Sequence, residues 1–257
     1  MLYAKELERG KSYFTFLHSQ NRSLILSRNV TKIFEQARIE GRKFLLEPEA
    51  KTVCKDYGIP VTKFKIAKTA EQAIKYSEEI GYPTVFKILS PDVVHKFDVD
   101  GVILNINNKK EAKNAFNQIL ENIKKHNPNA KIYGILVQEM APSSIEVIVG
   151  SIKDSQFGQT LMFGFGGTYV ELIKDVSFRI APIDEDDAKE MISEVKAYPI
   201  LTGYRRQPPA DIDTLTKILL KTSKLVMDHQ EIKELDLNPI MIYEKGAKTV
   251  DARIILE

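Results

Sequence analysis

One cysteine among 257 residues, Cys54, leaves no partner for a disulfide and no set of thiolates for zinc, which agrees with a reducing cytosol. Charge of one sign is lacking too. Lys+Arg 37 against Asp+Glu 35 leave a net charge of +2, so no global field argues for nucleic acid or an anionic membrane, and any anion site must be local. Long hydrophobic runs are missing. Residues 1–28 carry KELERGK and only the short run SLILS, too brief and badly flanked for a signal peptide or a membrane span, and read as a loosely attached extension. No internal repeat or low-complexity tract occurs. Two nucleotide signatures are absent: no Gly-Lys-Ser/Thr follows the glycines of GFGG, and those glycines do not open a helix after a strand. What is present is 43% hydrophobic and 28% charged residues, the composition of a globular protein with one large domain or two smaller ones.

From Asn29 onward, Gly and Pro fall where elements should stop. NVTKIFEQARIEGRKFLL predicts a helix, and EPEAKTVCKDYGIP a shorter one, with Pro48 in its first turn and Gly58 as its left-handed stop. KFKIA reads as a strand, and TAEQAIKYSEEIGYP as a helix with Thr69 and Gln72 placed for a capping box and Gly81 at its end. TVFKIL and VILNI are strand-like. KKEAKNAFNQILENIKKH puts Ala112, Phe116, Ile119, Leu120 and Ile123 on one helical face. Strands are expected at YGILVQEM, IEVIVGSI, TLMFGF and YVELI, helices at DEDDAKEMISEV and IDTLTKILLKTSKLVMDH, and two strand runs around a Lys-Gly turn at the end. The mixture argues α+β, with a first lobe at 29–132 and a second at 133–257.

Several groups could carry chemistry. Alternation lines up Glu234, Asp236 and Asn238 on one strand face, and folding the hairpin about Glu244 and Lys245 sets Asn238 opposite Asp251, so two oxygen ligands could share a magnesium ion. An exposed strand face with solvated acids explains the same pattern. Lys87 interrupts TVFKIL, which requires an edge position, a snorkelling route or an anion such as phosphate. Gly164, Gly166 and Gly167 free the backbone for close approach and Arg179 offers a cationic fork, as in a phosphate-facing turn, although ordinary turn glycines fit as well. The loop SPDVVHKFDVDG presents His95 between two apolar runs. A loop histidine is commonly a surface residue, but imidazole can also carry a phosphoryl group, with lysine and magnesium neutralising the transferring charge and a carboxylate such as Asp236 fixing the ring tautomer.

The strings SPDVVHKFDVDGVILNI, FGFGGTYVELIKDVSFRIAP and ELDLNPIMI, in that order, resemble the β subunit of NDP-forming (ADP-forming) acetyl-CoA synthetases, over about residues 30 to 257. The resemblance implies an ATP-grasp fold, two α+β lobes clamping a nucleotide, and the reversible conversion of acetyl-CoA, ADP and phosphate to acetate, ATP and CoA. It implies a CoA-binding α subunit that bears a first phosphohistidine and an α2β2 heterotetramer; the cysteine count and charge balance above add a cytoplasmic location and no nucleic acid or membrane partner. By the family pattern His95 is the second phosphoryl carrier and Asp236 steadies it, while Asn238 and Asp251 hold magnesium. Lys87, Gly166, Gly167 and Arg179 would face nucleotide phosphates, Gln138, Glu139 and Met140 would border the adenine largely through backbone groups, and Glu146 would lie near the ribose or phosphates. The related succinyl-CoA synthetases read Glu-Ile-Asn-Pro-Leu where this chain has Asp236-Leu237-Asn238-Pro239-Ile240, and they lack a counterpart of His95. Competing functions are a single-chain ATP-grasp carboxylate ligase working through an acylphosphate, and a nucleotide-sensing subunit without catalysis.

Overall fold

The computed structural model of the chain describes residues 29–93, 95–167, 175–205 and 208–257. The expected extension 1–28 and the expected strand YVELI lie outside the described residues. Two compact units are present, one up to Lys43 and one from Phe44 to Glu257. The first contributes a helix over residues 29–39, α1. It is shorter than the expected 29–46 because Gly41 takes a φ of +70° and turns the chain out of the helix.

The larger unit begins with α2 (Glu47–Asp56), β1 (Phe64–Ala67), α3 (Ala70–Ile80), β2 (Thr84–Leu89), β3 (Val102–Ile106), α4 (Lys109–His126) and β4 (Gly134–Glu139). It continues with β5 (Ile145–Asp154), β6 (Gly158–Phe165), β7 (Val176–Ile180), α5 (Glu185–Glu194), α6 (Tyr198–Leu201), α7 (Ile212–Asp228), β8 (Ile232–Ile242), β9 (Ala247–Thr249) and β10 (Ala252–Leu256). Local chemistry sets the helix starts. The Thr69 side chain accepts from the Gln72 N–H at 3.2 Å and caps α3. Asp184 and Asp187 form a reciprocal capping box on α5, and Asn108 accepts from the Glu111 N–H on α4.

β1, β4, β2 and β3 form an antiparallel sheet in that order. Its helix-covered face sends Phe86, Ile88, Ile135 and Val137 into a core with Ala112, Phe116, Ile119 and Ile123 of α4 and Ala73 of α3. Alternation therefore turns Lys87 and Gln138 to the opposite face. Because β4 pairs with β1 and β2, this sheet extends to Glu139, past the expected lobe boundary at 132, and the division between sheets falls in residues 140–144. β10, β8, β5, β6 and β7 form the second sheet, with β9 beside β8. One face packs on α5 and α7 through Val149, Leu161, Phe163, Leu235 and Leu237, and the other carries Glu146, Gly150, Met162 and Asp236. β7 had no expected strand. Its polarity is inverted: Ser177 is buried against α5, where it donates to the Met191 carbonyl, while Phe178 and Ile180 are exposed.

Ile119 is fully buried in the first core. Ile119→Ala is expected to lower unfolding free energy by about 2–5 kcal/mol, measured from urea midpoints at constant slope.

Candidate functional site

The site is organised from α2. Its spacing sets Glu47, Ala50, Lys51 and Cys54 on one face, and all four are buried, so two opposite charges sit inside an otherwise apolar stripe. Burial pushes the Cys54 thiol up to about 12, so it stays protonated and unreactive. Glu47 Oε1 lies 2.6 Å from Lys87 Nζ and 3.0 Å from Lys51 Nζ, and Oε2 lies 3.2 Å from Lys96 Nζ. Lys51 also donates to Thr62 Oγ1 at 3.0 Å and to Gln138 Oε1. Lys87 also reaches Asp251 Oδ2 at 3.2 Å and the Val250 carbonyl at 3.4 Å. Neither an edge position nor snorkelling accounts for Lys87, since β2 is interior to its sheet and the residue is 6% exposed. A single carboxylate thus ties together α2, β2 and the loop after β2, with Asp251 one lysine away.

Burial pushes the Glu47 carboxyl up, but Lys87, Lys51 and Lys96 together overcome this and hold it well below the usual carboxylate range. Burial lowers Lys51 to about 8 against the pull of Glu47, and repulsion from Lys87 adds to the lowering. Lys87 is raised: burial opposes its charge, and Glu47 and Asp251 outweigh that.

The C-terminal strands supply the opposing wall. Arg253 pairs with Asp236 and Ala252 with Leu237, and the Asn238 N–H donates to the Asp251 carbonyl at 3.3 Å. Asp236, Asn238 and Asp251 line a cavity of about 290 Å³ together with Glu47, Ser90 and Lys96. A second cavity of about 330 Å³ is lined by Lys87, His95, Lys96, Phe97, Asp98 and Asp251. Lys96 and Asp251 belong to both. His95 is exposed on its loop, and among the described residues no hydrogen bond joins it to Asp236. The loop closes at Gly101, where a Cβ would lie 2.6 Å from Ile88 Cγ2 and 2.9 Å from the Lys96 carbonyl. Burial pushes the Asp236 carboxyl up to about 6, Glu234 and Asp251 add to this, and Arg253 opposes it.

The remaining predicted residues fall in three places. Gly166 donates its N–H to the Glu146 carbonyl at 2.7 Å, and a Cβ there would meet Glu146 Cβ at 3.0 Å, so Glu146, Gly166 and Gly167 form one patch on the open face of the second sheet. Gln138 is fully buried beneath α2. The Glu139 and Met140 N–H groups donate to the Lys63 and Pro83 carbonyls, both at 3.0 Å, and the Glu139 carboxylate accepts from Lys248 at 2.7 Å. Arg179 lies elsewhere. It pairs in register with Leu161 on the helix-covered face, and its guanidinium is held by Glu190 and Glu194 of α5, so the structure does not bring it to Glu146 or Gly166. Glu47, Lys51 and Lys96 had not been expected in the site. The readable signal was a Glu-Lys pair at i,i+4 inside the apolar stripe of α2.

An ATP-grasp domain model matches residues 36–256. The chain is 52% identical over 225 residues to acetate-CoA ligase (ADP-forming) I subunit beta of Pyrococcus furiosus, an alignment covering 88% of this chain and 97% of that one. The chain belongs to the ATP-grasp family, among the β subunits of ADP-forming acetate-CoA ligases. Among solved structures it is similar to the dinucleotide forming acetyl-coenzyme A synthetase 1 of Ca. Korarchaeum cryptofilum in complex with coenzyme A, Ca-AMPCP and HgCl+, with a TM-score of 0.86 and 51% identity, covering 88% of this chain and 99% of that one. A second structure of that protein, with coenzyme A and Mg-AMPPCP and its phosphohistidine segment pointing towards the nucleotide binding site, has a TM-score of 0.80 and 47% identity, covering 89% and 100%. The α+β arrangement described above is that of the ATP-grasp fold.

The donor set can be tested against magnesium. Among the described residues no group of three or more His, Cys, Asp or Glu side chains could hold a metal. Asn238 on β8 and Asp251 in the link between β9 and β10 offer hard oxygen donors to one cavity, which fits an ion that takes one or two protein oxygens and fills its shell with water and phosphate.

Because the Glu47 carboxyl is held below its ordinary value of 4.5, its charge adds stability above that pH, and the contribution is lost as pH falls. Glu47→Gln is expected to cost about 3–5 kcal/mol at neutral pH. In urea titrations the gap to wild type should narrow as the solution is taken from about pH 6 towards about pH 2.

Proposed function

We propose that the chain is the nucleotide-binding β subunit of an ADP-forming acetyl-CoA synthetase, which with a CoA-binding α subunit converts acetyl-CoA, ADP and phosphate to acetate, ATP and CoA, reversibly. The observation that carries the reading is the cavity that sets His95 beside Lys87, Lys96 and Asp251, in a chain 52% identical to a β subunit of such a ligase. His95 is the phosphoryl carrier. An unprotonated ring nitrogen attacks phosphorus on the α-subunit phosphohistidine, and the P–N bond there breaks as the new one forms. A terminal oxygen of ADP then attacks the phosphorus, the P–N bond to His95 breaks, and the electron pair returns to the imidazole.

Lys87 is the fixed cation facing nucleotide phosphates. Its ammonium is already oriented by Glu47 and Asp251, so little reorganisation accompanies transfer. Asp236 steadies the carrier ring once the loop brings His95 to the neighbouring cavity. Gln138, Glu139 and Met140 border the adenine, and Glu146, Gly166 and Gly167 face the ribose and phosphates. Asn238 and Asp251 hold magnesium, which when bound offsets phosphate charge. The assembly is an α2β2 heterotetramer in a reducing cytosol.

The test uses the chain mixed with its α partner, acetyl-CoA and labelled phosphate, quenched before ADP is added. Acid-labile, base-stable label is expected on this polypeptide, and ADP should chase it into ATP. His95→Ala should lose both label and ATP synthesis while Mg-ADP affinity stays at the wild-type value. Full ATP synthesis by the His95→Ala complex would remove the histidine from the mechanism.

A further inference from the structure

We propose that Lys96 is a phosphoryl-binding residue: Glu47 holds it ready beside His95, and its ammonium passes to the phosphoryl group when that group is on the imidazole. The proposal rests on the reading of His95 as the carrier.

The three lysines around Glu47 differ in how far their donors are already used. Lys51 faces Thr62, Gln138 and Glu47, three acceptors for three N–H bonds. Lys87 likewise faces Glu47, Asp251 and the Val250 carbonyl. Among the described residues Lys96 has one acidic neighbour, Glu47 Oε2 at 3.2 Å, and its side chain is 22% exposed. It therefore keeps N–H groups that an arriving anion can use. Counter-charge points the same way. Lys87 has Asp251 besides Glu47, whereas Lys51 and Lys96 each have Glu47 as their acidic contact, and of these two Lys51 is sealed in the interior while Lys96 reaches both cavities.

Position completes the argument. Lys96 follows His95 directly and stands in the wall common to both cavities, one holding His95 and the other Asp236 and Asn238. Its carbonyl accepts from the Gly101 N–H at 2.8 Å, which ties the turn bearing His95 and Lys96 to the end of the loop. A phosphoryl group on the ring adds close to two negative charges next to this ammonium. In a partly desolvated cavity that attraction exceeds the share of Glu47 left to Lys96, so the lysine can change partner and stay with the ring beside it. Glu47 then remains neutralised by Lys51 and Lys87.

The assembled α/β complex tests this with γ-labelled ATP and magnesium, following the rate at which label appears on this chain by rapid quench and, separately, Mg-ADP affinity by calorimetry. Lys96→Met is expected to slow labelling by about a hundredfold and to leave Mg-ADP affinity within about twofold. Lys96→Arg, which keeps the charge, should recover most of the rate. Wild-type labelling by Lys96→Met would overturn the proposal, as would a loss of Mg-ADP affinity in parallel with the rate, which would make Lys96 part of the nucleotide seat. Label on His95→Ala, or none on wild type, would overturn the carrier reading itself.

Discussion

A buried carboxylate shared by three lysines is the constraint on which the site depends. Two lysines inside a protein repel each other and are poorly solvated, and a third beside them would be worse. Glu47 makes the arrangement possible: it is 5% exposed, contacts all three ammonium groups, and stays ionised although burial alone would protonate it. The three lysines outnumber the one carboxylate they share, and two of them, Lys87 and Lys96, line the cavity that holds His95. The first residue of a ten-residue helix therefore decides where the positive charge of this enzyme subunit is placed.

Each sheet divides its labour by alternation. On the first, Phe86 and Ile88 face the helices while Lys87 between them faces α2. On the second, Leu235 and Leu237 pack inward and Asp236 faces the cavity. One strand thus lines core and cavity at once, and the same rule turns Arg179 to the helix-covered face, away from Glu146 and Gly166. α2 packs against β10 and bonds to β2 and β4, which brings the polar faces of both sheets to one place.

Much of this was legible in the residues. α4 occupies the expected span, Thr69 caps α3, and the hairpin sets Asn238 against Asp251 as folding about Glu244 and Lys245 predicts. Local patterns determine those features, so a local reading finds them. β7 escaped because its exposed residues are Phe178 and Ile180 and its buried one is Ser177, and alternation reports a period without reporting which face is covered. The Glu47 cluster escaped because its members are separated by up to 49 positions and meet only after both sheets are built. Nothing local to Lys96 reveals that Glu47 is its partner.

The most direct test of the central claim is calorimetric titration of Mg-ADP into wild type and Glu47→Gln, with far-UV circular dichroism establishing that the variant is folded. If Glu47 sets the lysines on which phosphates rest, the folded variant binds Mg-ADP more weakly by about tenfold or more. Equal affinity in a folded Glu47→Gln protein would contradict the account.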